Sequence, residues 1–329
     1  MQLPEFLQPL GDDIYAIDTG FQRDHFDAAY LIVGGSGRAA FIDSGTNHSV
    51  PRLLASLDAL GLPRDAVDWV IPTHVHLDHA GGVGLLMQSL PAARALVHPR
   101  GLRHMIDPSA LWAGALAVYG EAEMQRSYGS LVPVVEQRAE ASRDGQLVDL
   151  GGRPLLIADT PGHARHHHCI WDERSGCWFT GDTFGISYRE FDNASGAPWL
   201  FPTSTPVQFE PEALRTSVGR LLSCAPRGML LTHYKRVGHG TDEVQALATQ
   251  LLQLVDEMTA IALKLQGSEQ RHGLIKQELL ALYQRSVAAH GTGLSADQVA
   301  GLLVTDVELN AQGLGVWLDK QQAERGAAV

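Results

Sequence analysis

The sequence predicts an α/β fold carrying a helical C-terminal extension. Three observations predict it. Short apolar runs that end in glycine recur through the first part of the chain and read as strands bounded by turns. A strand–helix–strand order occurs twice, which suggests stacked layers of sheet and helix. From about Gly240 onward the strand pattern stops, and apolar residues recur at helical spacing.

Taken in order, DIYAIDTG (13–20), AAYLIVGG (28–35) and RAAFIDSG (38–45) read as strands. SVPRLLASLDAL (49–60) has helical spacing, with Ser49 as the expected N-cap and Gly61 as the stop. AVDWVIPT (66–73) is a buried strand, followed by a helix in GVGLLMQSL (82–90) and a strand in RALVHP (94–99). Between residues 147 and 182, LVDLG, RPLLIADTPG, HHHCIWDE and CWFTGD alternate with turn residues, as in a β-meander. Cys169 and Cys177 flank the turn signal DERSG and are expected as buried cross-strand neighbours. A second helix–strand unit follows in PEALRTSVGRLLSC (211–224) and GMLLTH (228–233). The two halves match in element order, without a strong sequence repeat. The tail holds three helical segments, the last with Ser295 as N-cap. Its stripe Val244, Leu247, Leu251, Leu254 and Met258, spaced by three and four, needs a partner surface. No low-complexity linker intervenes. The expected division is a catalytic domain over 1–240 and a packed helical extension over 241–329, with substrate gating or a homodimer contact as secondary uses of the extension.

Composition narrows the function. The 329 residues are 45% hydrophobic, enough for a sizeable core. A formal net charge of -12 argues against a nucleic-acid partner, which calls for a basic face. The first residues carry neither a basic n-region nor a long apolar h-region, and no run reaches the roughly 18 apolar residues of a membrane span. The three cysteines are too few and odd in number for a disulfide framework, which fits a reducing cytoplasm. The expected partner is a small-molecule substrate.

Chemistry concentrates in VIPTHVHLDHAGG (70–82). In extended backbone His74 and His76 point the same way and can grip one ion, while Asp78 and His79 come from the turn that follows and face a neighbouring point. Gly81 and Gly82 allow close packing where a helix begins. A surface loop rich in histidine is the bland alternative. HxHxDH followed by Gly-Gly directly after an apolar strand favours a site for two metal ions. Each ion needs about four ligands, so the chain must supply more. His163 in DTPGHA, Asp182 in FTGDT and His233 in LLTHY each follow an apolar strand and are the candidates.

On IDSG (42–45), HVHLDH (74–79), PGH (161–163), GD (181–182) and TH (232–233), in that order, the chain resembles the metallo-β-lactamase superfamily over roughly residues 10 to 235. The resemblance implies an αββα metallo-β-lactamase sandwich, with His74, His76 and His163 on a first metal. It places Asp78, His79 and His233 on a second and Asp182 between the two. Asp43 would steady the metal loops through hydrogen bonds. It also implies a metal-dependent hydrolase using two divalent ions, zinc first, with iron or manganese as alternatives. The nucleophile would be a hydroxide shared by ions about 3.5–4 Å apart, with Asp78 and Asp182 as the catalytic carboxylates. An ester, thioester or related acyl compound is the leading substrate. Alternatives are a mononuclear iron thiol or persulfide dioxygenase and a metal-containing binding protein with little turnover.

The chain also looks like a prokaryotic subgroup with a helical C-terminal extension, distantly similar to the hydroxyacylglutathione hydrolases. Family lactonases carry tyrosine three residues after the bridging aspartate, where this chain has Gly185. His166, His167 and His168 read as ordinary polar or buried histidines, with contact of one of them with the pocket as the alternative. His98 and His104 read as structural, and His25 as a rim residue. Phe21, Trp112, Tyr119, Phe184, Tyr188, Trp199 and Phe201 fall in expected loops near the metal edge and divide between core and pocket wall.

Overall fold

The computed structural model describes residues 3–204 and 207–327. Two sheets stack face to face with helices on both outer surfaces. The first sheet runs β1 (Leu7–Gly11), β2 (Ile14–Asp18), β3 (Ala28–Val33), β4 (Ala39–Ile42), β5 (Val67–Ile71), β6 (Arg94–Val97), β7 (Ala139–Ala141), in that spatial order. It is antiparallel through β4 and parallel from β4 to β7. The parallel steps need crossovers. These are α1 (Val50–Ala59) between β4 and β5, and α2 (Leu77–Ala80) with α3 (Val83–Gln88) between β5 and β6. Before β7 come α4 (Pro99–Ile106), α5 (Ser109–Tyr119) and the single turn α6 (Glu121–Glu123). The second sheet holds β8 (Leu147–Asp149), β9 (Pro154–Asp159), β10 (His168–Asp172), β11 (Cys177–Gly181), β12 (Gly228–Leu231) and β13 (Lys235–Val237), likewise in order. α7 (Pro211–Leu222) makes its parallel crossover from β11 to β12.

Side-chain alternation explains the layers. In β3, Tyr30 and Ile32 join Leu155, Ile157, Ile170, Phe179 and Leu230 between the sheets. Ala29 and Leu31 face the other way, with Leu53 and Leu57 of α1 and Leu86 of α3. On the far side Trp178, Met229 and Leu231 pack under Val218 and Leu221 of α7. The result is the αββα sandwich.

The extension comprises α8 (Thr241–Leu265), α9 (Arg271–His290), α10 (Ala296–Leu302) and α11 (Val304–Ala327). Val244 and Leu251 of α8 are buried with Met229 and Leu231 of the second sheet, and Leu247 is partly buried beside them. Leu254 and Met258 join Tyr188, Trp199 and Phe201, so the stripe finds its partner in the segment between β11 and α7. Ser295 caps α10 by accepting from Gln298 N, and the Gln298 side chain accepts in return from Ser295 N.

Several expectations change. β1 and β13 pair at sheet edges as additional strands. Trp112 and Tyr119 lie on α5, not in loops. Ser49 precedes α1 but makes no side-chain bond to the helix, because its Oγ accepts from Thr46 N in the 3₁₀ turn leading in. Asp78 and His79 sit on the short helix α2. Cys177 pairs with Asp172, so the thiols of Cys169 and Cys177 are not opposite one another; both are buried, whereas Cys224 is exposed.

Candidate metal centre

The histidines and aspartates singled out in the sequence converge at one edge of the sandwich. β5 ends at Ile71, and the extended residues after it carry His74 and His76. α2 then turns Asp78 and His79 inward. His163 follows β9, Asp182 follows β11 and His233 follows β12. Gly181, with φ of +48°, makes the turn into Asp182; a Cβ there would lie 2.5 Å from Thr73 Oγ1 and 2.6 Å from His167 Nε2. Only glycine fits.

Three groupings place ligand atoms within 4.8 Å of one another: His74, His76 and His163; His74, His79 and Asp182; Asp78, His79 and His233. In the first, His76 Nδ1 is 2.8 Å from His74 Nε2 and 3.1 Å from His163 Nε2. Asp182 divides its oxygens. Oδ2 is 3.4 Å from His163 Nε2, while Oδ1 is 3.4 Å from His79 Nε2 and 3.9 Å from His233 Nε2. Asp78 Oδ2 is 3.3 Å from His233 Nε2.

The surroundings decide which ring nitrogens carry protons. Carbonyl and carboxylate oxygens only accept, so the nitrogens facing them must donate. His233 Nδ1 donates to Phe26 O at 2.9 Å and His163 Nδ1 to Thr203 O at 3.3 Å. His79 Nδ1 donates to Asp43 Oδ2 at 3.0 Å. In the neutral rings, each inward Nε2 is then left with its lone pair. Asp43 is fully buried and also accepts from Thr73 N at 2.6 Å and Thr232 Oγ1 at 2.7 Å. One carboxylate thereby ties together the ends of β5 and β12, each of which delivers a Thr-His pair.

Charge divides the cluster. Burial, reinforced by neighbouring imidazoles, holds His74 and His76 well below the usual histidine range. Burial pulls His233 down, but its bond with Asp78 and the field of Asp182 outweigh this and raise it to about 9. The same contest, with Asp182, Asp78 and Asp43 prevailing, holds His79 well above its usual value. Burial pushes Asp182 up, yet His79 and His163 leave it well below the carboxylate range. The two carboxylates thus demand positive charge beside them, which protons or metal cations can supply. His79 Nε2 and Asp182 Oδ1 are buried without a hydrogen-bond partner. Two orphaned ligand atoms facing each other at 3.4 Å fit a cation between them.

A cavity of about 700 Å³ opens from this cluster. Phe21, Phe26 and Tyr188 line it near the centre, Leu111 and Tyr119 of α5 on one side, and Asp306 of α11 on the other. Tyr188 donates to Asp306 Oδ1 at 2.9 Å, linking wall and extension. Trp199, Phe201 and Phe184 are core residues, and Trp112 of α5 is partly buried against the cluster of Phe21, Leu77, Met124 and Tyr128. His98 caps α4 and reaches Asp159, as its structural reading expects, whereas His104 lines the cavity. His25 is exposed and packs beside Tyr234, 5.2 Å between ring centroids. At Gly185, with φ of +78°, a Cβ would meet Leu251 Cδ1 of α8 and Phe201 O, both at 2.7 Å. The extension occupies the space that a tyrosine would need.

Sequence reasoning did not single out Thr73, Thr232 or Asp306. The repeated Thr-His dipeptide before two ligand candidates is the signal that finds the first two.

Fold and cluster together define a sandwich with a histidine–aspartate centre at one edge. The chain belongs to the metallo-beta-lactamase superfamily, whose family model matches residues 14–233. It is 29% identical over 181 residues to an acyl-coenzyme A thioesterase, MBLAC2, of Gallus gallus, covering 53% of this chain and 64% of that protein. It is 30% identical over 180 residues to an atrochrysone carboxyl ACP thioesterase of Aspergillus fumigatus, covering 55% of this chain and 42% of that protein. The chain thus spans under two thirds of the length of these relatives. An archaeal metallo-beta-lactamase superfamily protein, ST1585 from Sulfolobus tokodaii, shares the fold with a TM-score of 0.61 at 21% identity, covering 92% of this chain and 98% of that one.

Proposed function

We propose that this chain is a two-metal hydrolase of acyl thioesters or related esters. The observation that carries the reading is the set of inward ligand atoms, above all the orphaned pair His79 Nε2 and Asp182 Oδ1. His74, His76 and His163 would hold one ion, Asp78, His79 and His233 the other, and Asp182, with its oxygens turned to opposite sides, both. Zinc suits the nitrogen–oxygen donor set, and iron or manganese are the alternatives. When bound, such ions supply Lewis acidity and bring the pKa of water to about 7.

The chain's own groups supply the rest. Asp78 and Asp182 are anionic acceptors beside the reacting centre. The apolar walls suit the acyl part of a small-molecule substrate and exclude water around it. The thioesterase names of two relatives support the substrate class. We further assign residues 1–240 to the catalytic domain and 241–329 to a packed extension. A cytoplasmic setting accords with three free cysteines. Among the described residues no helix is long and apolar enough to cross a membrane.

The test assays zinc-loaded, iron-loaded and metal-stripped protein on a panel of acyl thioesters and esters, with mass spectrometry for a trapped adduct. Zinc-dependent cleavage without acylation of any side chain is expected. A covalent acyl-enzyme overturns the mechanism. Oxygen uptake with a persulfide by the iron form, with no cleavage by the zinc form, moves the protein to the dioxygenase class.

A further inference from the structure

The run His166, His167, His168 contains one ring with no hydrogen bond to another residue's side chain. His168 meets Ser142 Oγ at 2.8 Å and Pro72 O at 2.9 Å. His167 meets Thr160 and Thr183 through Nδ1, and its Nε2 accepts from Asp182 N at 3.2 Å. His163 donates to Thr203 O. His166 is only 8% exposed, and its Nδ1 is buried without a hydrogen-bond partner. Its ring lies parallel to His74 at 6.0 Å and edge-on to His76 at 5.4 Å, and it lines the cavity together with His76, Asp78 and Asp182. It belongs to none of the three ligand groupings. Nδ1 is closed off from the cavity, so Nε2 is the atom of this ring left to meet a bound molecule.

We propose that His166 is a catalytic residue that donates a hydrogen bond to the acyl carbonyl oxygen of the substrate as that oxygen becomes anionic. The proposal rests on the hydrolase reading above. Complementarity selects the role. Around its reacting carbon a thioester offers acceptors only, and its carbonyl oxygen is the strong one. A neutral imidazole carries one N–H to meet it. The leaving thiolate has less need of an acid, since an ordinary thiol has a pKa of about 8.5.

In the reaction, water oxygen adds to the acyl carbon as a proton is lost, and the carbonyl π pair moves onto oxygen. When that pair returns, the C–S bond breaks with its electrons on sulfur, which takes up a proton. Carboxylate, thiol and one proton leave for each thioester and water consumed. The His166 N–H stabilises the point of greatest charge on oxygen, so its contribution falls on the transition state rather than on substrate binding.

The experiment compares wild type, His166→Ala and His166→Gln, each zinc-loaded. It measures metal content, kcat and KM on an acyl thioester series, and calorimetric affinity for a phosphonate that mimics the tetrahedral anion and for the carboxylate product. For His166→Ala we expect full metal content, little change in KM and a fall in kcat on the order of 100-fold. Phosphonate affinity should fall with kcat while carboxylate affinity holds. The amide N–H of His166→Gln should recover a large part of both losses. Unchanged kcat and phosphonate affinity in His166→Ala overturns the role. Loss of metal in His166→Ala, or a Gln variant as impaired as the Ala variant, also overturns it. A wild type inert to every thioester rejects the hydrolase reading and this role with it, a result distinct from an active wild type indifferent to the substitution.

Discussion

Asp43→Asn tests how the centre is held. The wild-type carboxylate accepts from Thr73 N, Thr73 Oγ1, Thr232 Oγ1 and His79 Nδ1, all buried. Asparagine keeps the shape but replaces one acceptor oxygen with an NH₂ donor. Thr73 N and Thr73 Oγ1 share Oδ1 at 2.6 and 3.0 Å, so the remaining oxygen belongs there, and the NH₂ turns toward Thr232 and His79. The hydroxyl can rotate and accept. Against a donor, the His79 ring must carry its proton on Nε2, the nitrogen that faces Asp182 and Asp78. The second ion would then compete with that proton. Disturbing such a supporting residue weakens metal binding by roughly 10–100-fold, or about 1.4–2.8 kcal/mol. The first grouping contains neither Asp43 nor His79 and should change little. Zinc titration by calorimetry at pH 7, with a chelator series to resolve two affinities, reads both sites. Two wild-type affinities in Asp43→Asn, or equal loss at both sites, would show that Asp43 does not hold the second site through His79.

Four other outcomes follow from the structure. The Arg153 guanidinium meets Asp172 at 2.9 and 2.6 Å and donates to Asp12 O and Val33 O of the facing sheet, with both side chains almost fully buried. Arg153→Met should cost about 3–5 kcal/mol in urea melts at pH 7. Burial raises the Asp172 carboxyl, but Arg153 and Ser175 hold it below its usual value. Its contribution is therefore present above the ordinary carboxyl pKa and lost as pH falls through the lower folded value, and a wild-type advantage over Asp172→Asn that grew on acidification would contradict this. Burial raises the Cys169 thiol to about 12 and also raises Cys177, while Cys224 is exposed. A maleimide should label Cys224 alone in native protein, as read by mass spectrometry, and native labelling at Cys169 would count against the packing described. Ending the chain near Gly240 removes Val244, Leu251, Leu254 and Met258, each worth about 1.5–3 kcal/mol when buried, and bares Trp199 and Phe201. Aggregation or a markedly lower melting temperature is expected; a soluble monomer that melts as the full chain does would make the extension an independent module.

Much of the site is legible in the sequence because its parts are local. HVHLDH packs four candidate ligands into six residues, and His163, Asp182 and His233 each follow a strand whose apolar run is plain. The sandwich is legible for the same reason: β3 and β11 are short runs buried on both faces, and turn residues separate the strands of the β8–β11 meander. α5 is harder to read. Its run SALWAGALAVY is apolar on every side, so no polar face marks a helix, and six of its residues line the cavity. The wall built by Tyr188 and Asp306 joins positions 118 apart, a contact that no local pattern encodes. Gly185 reads in sequence as a missing tyrosine; only the packed Leu251 explains it.

Metal counting on protein purified without added metal decides whether the centre holds two ions. Zinc, iron and manganese are measured per chain in wild type and in Asp182→Ala. About two zinc per wild-type chain are expected, as two-metal chemistry requires, with joint weakening of both ions in Asp182→Ala, because that carboxylate turns one oxygen to each side. A single ion per wild-type chain, or full retention of both ions in Asp182→Ala, would contradict this.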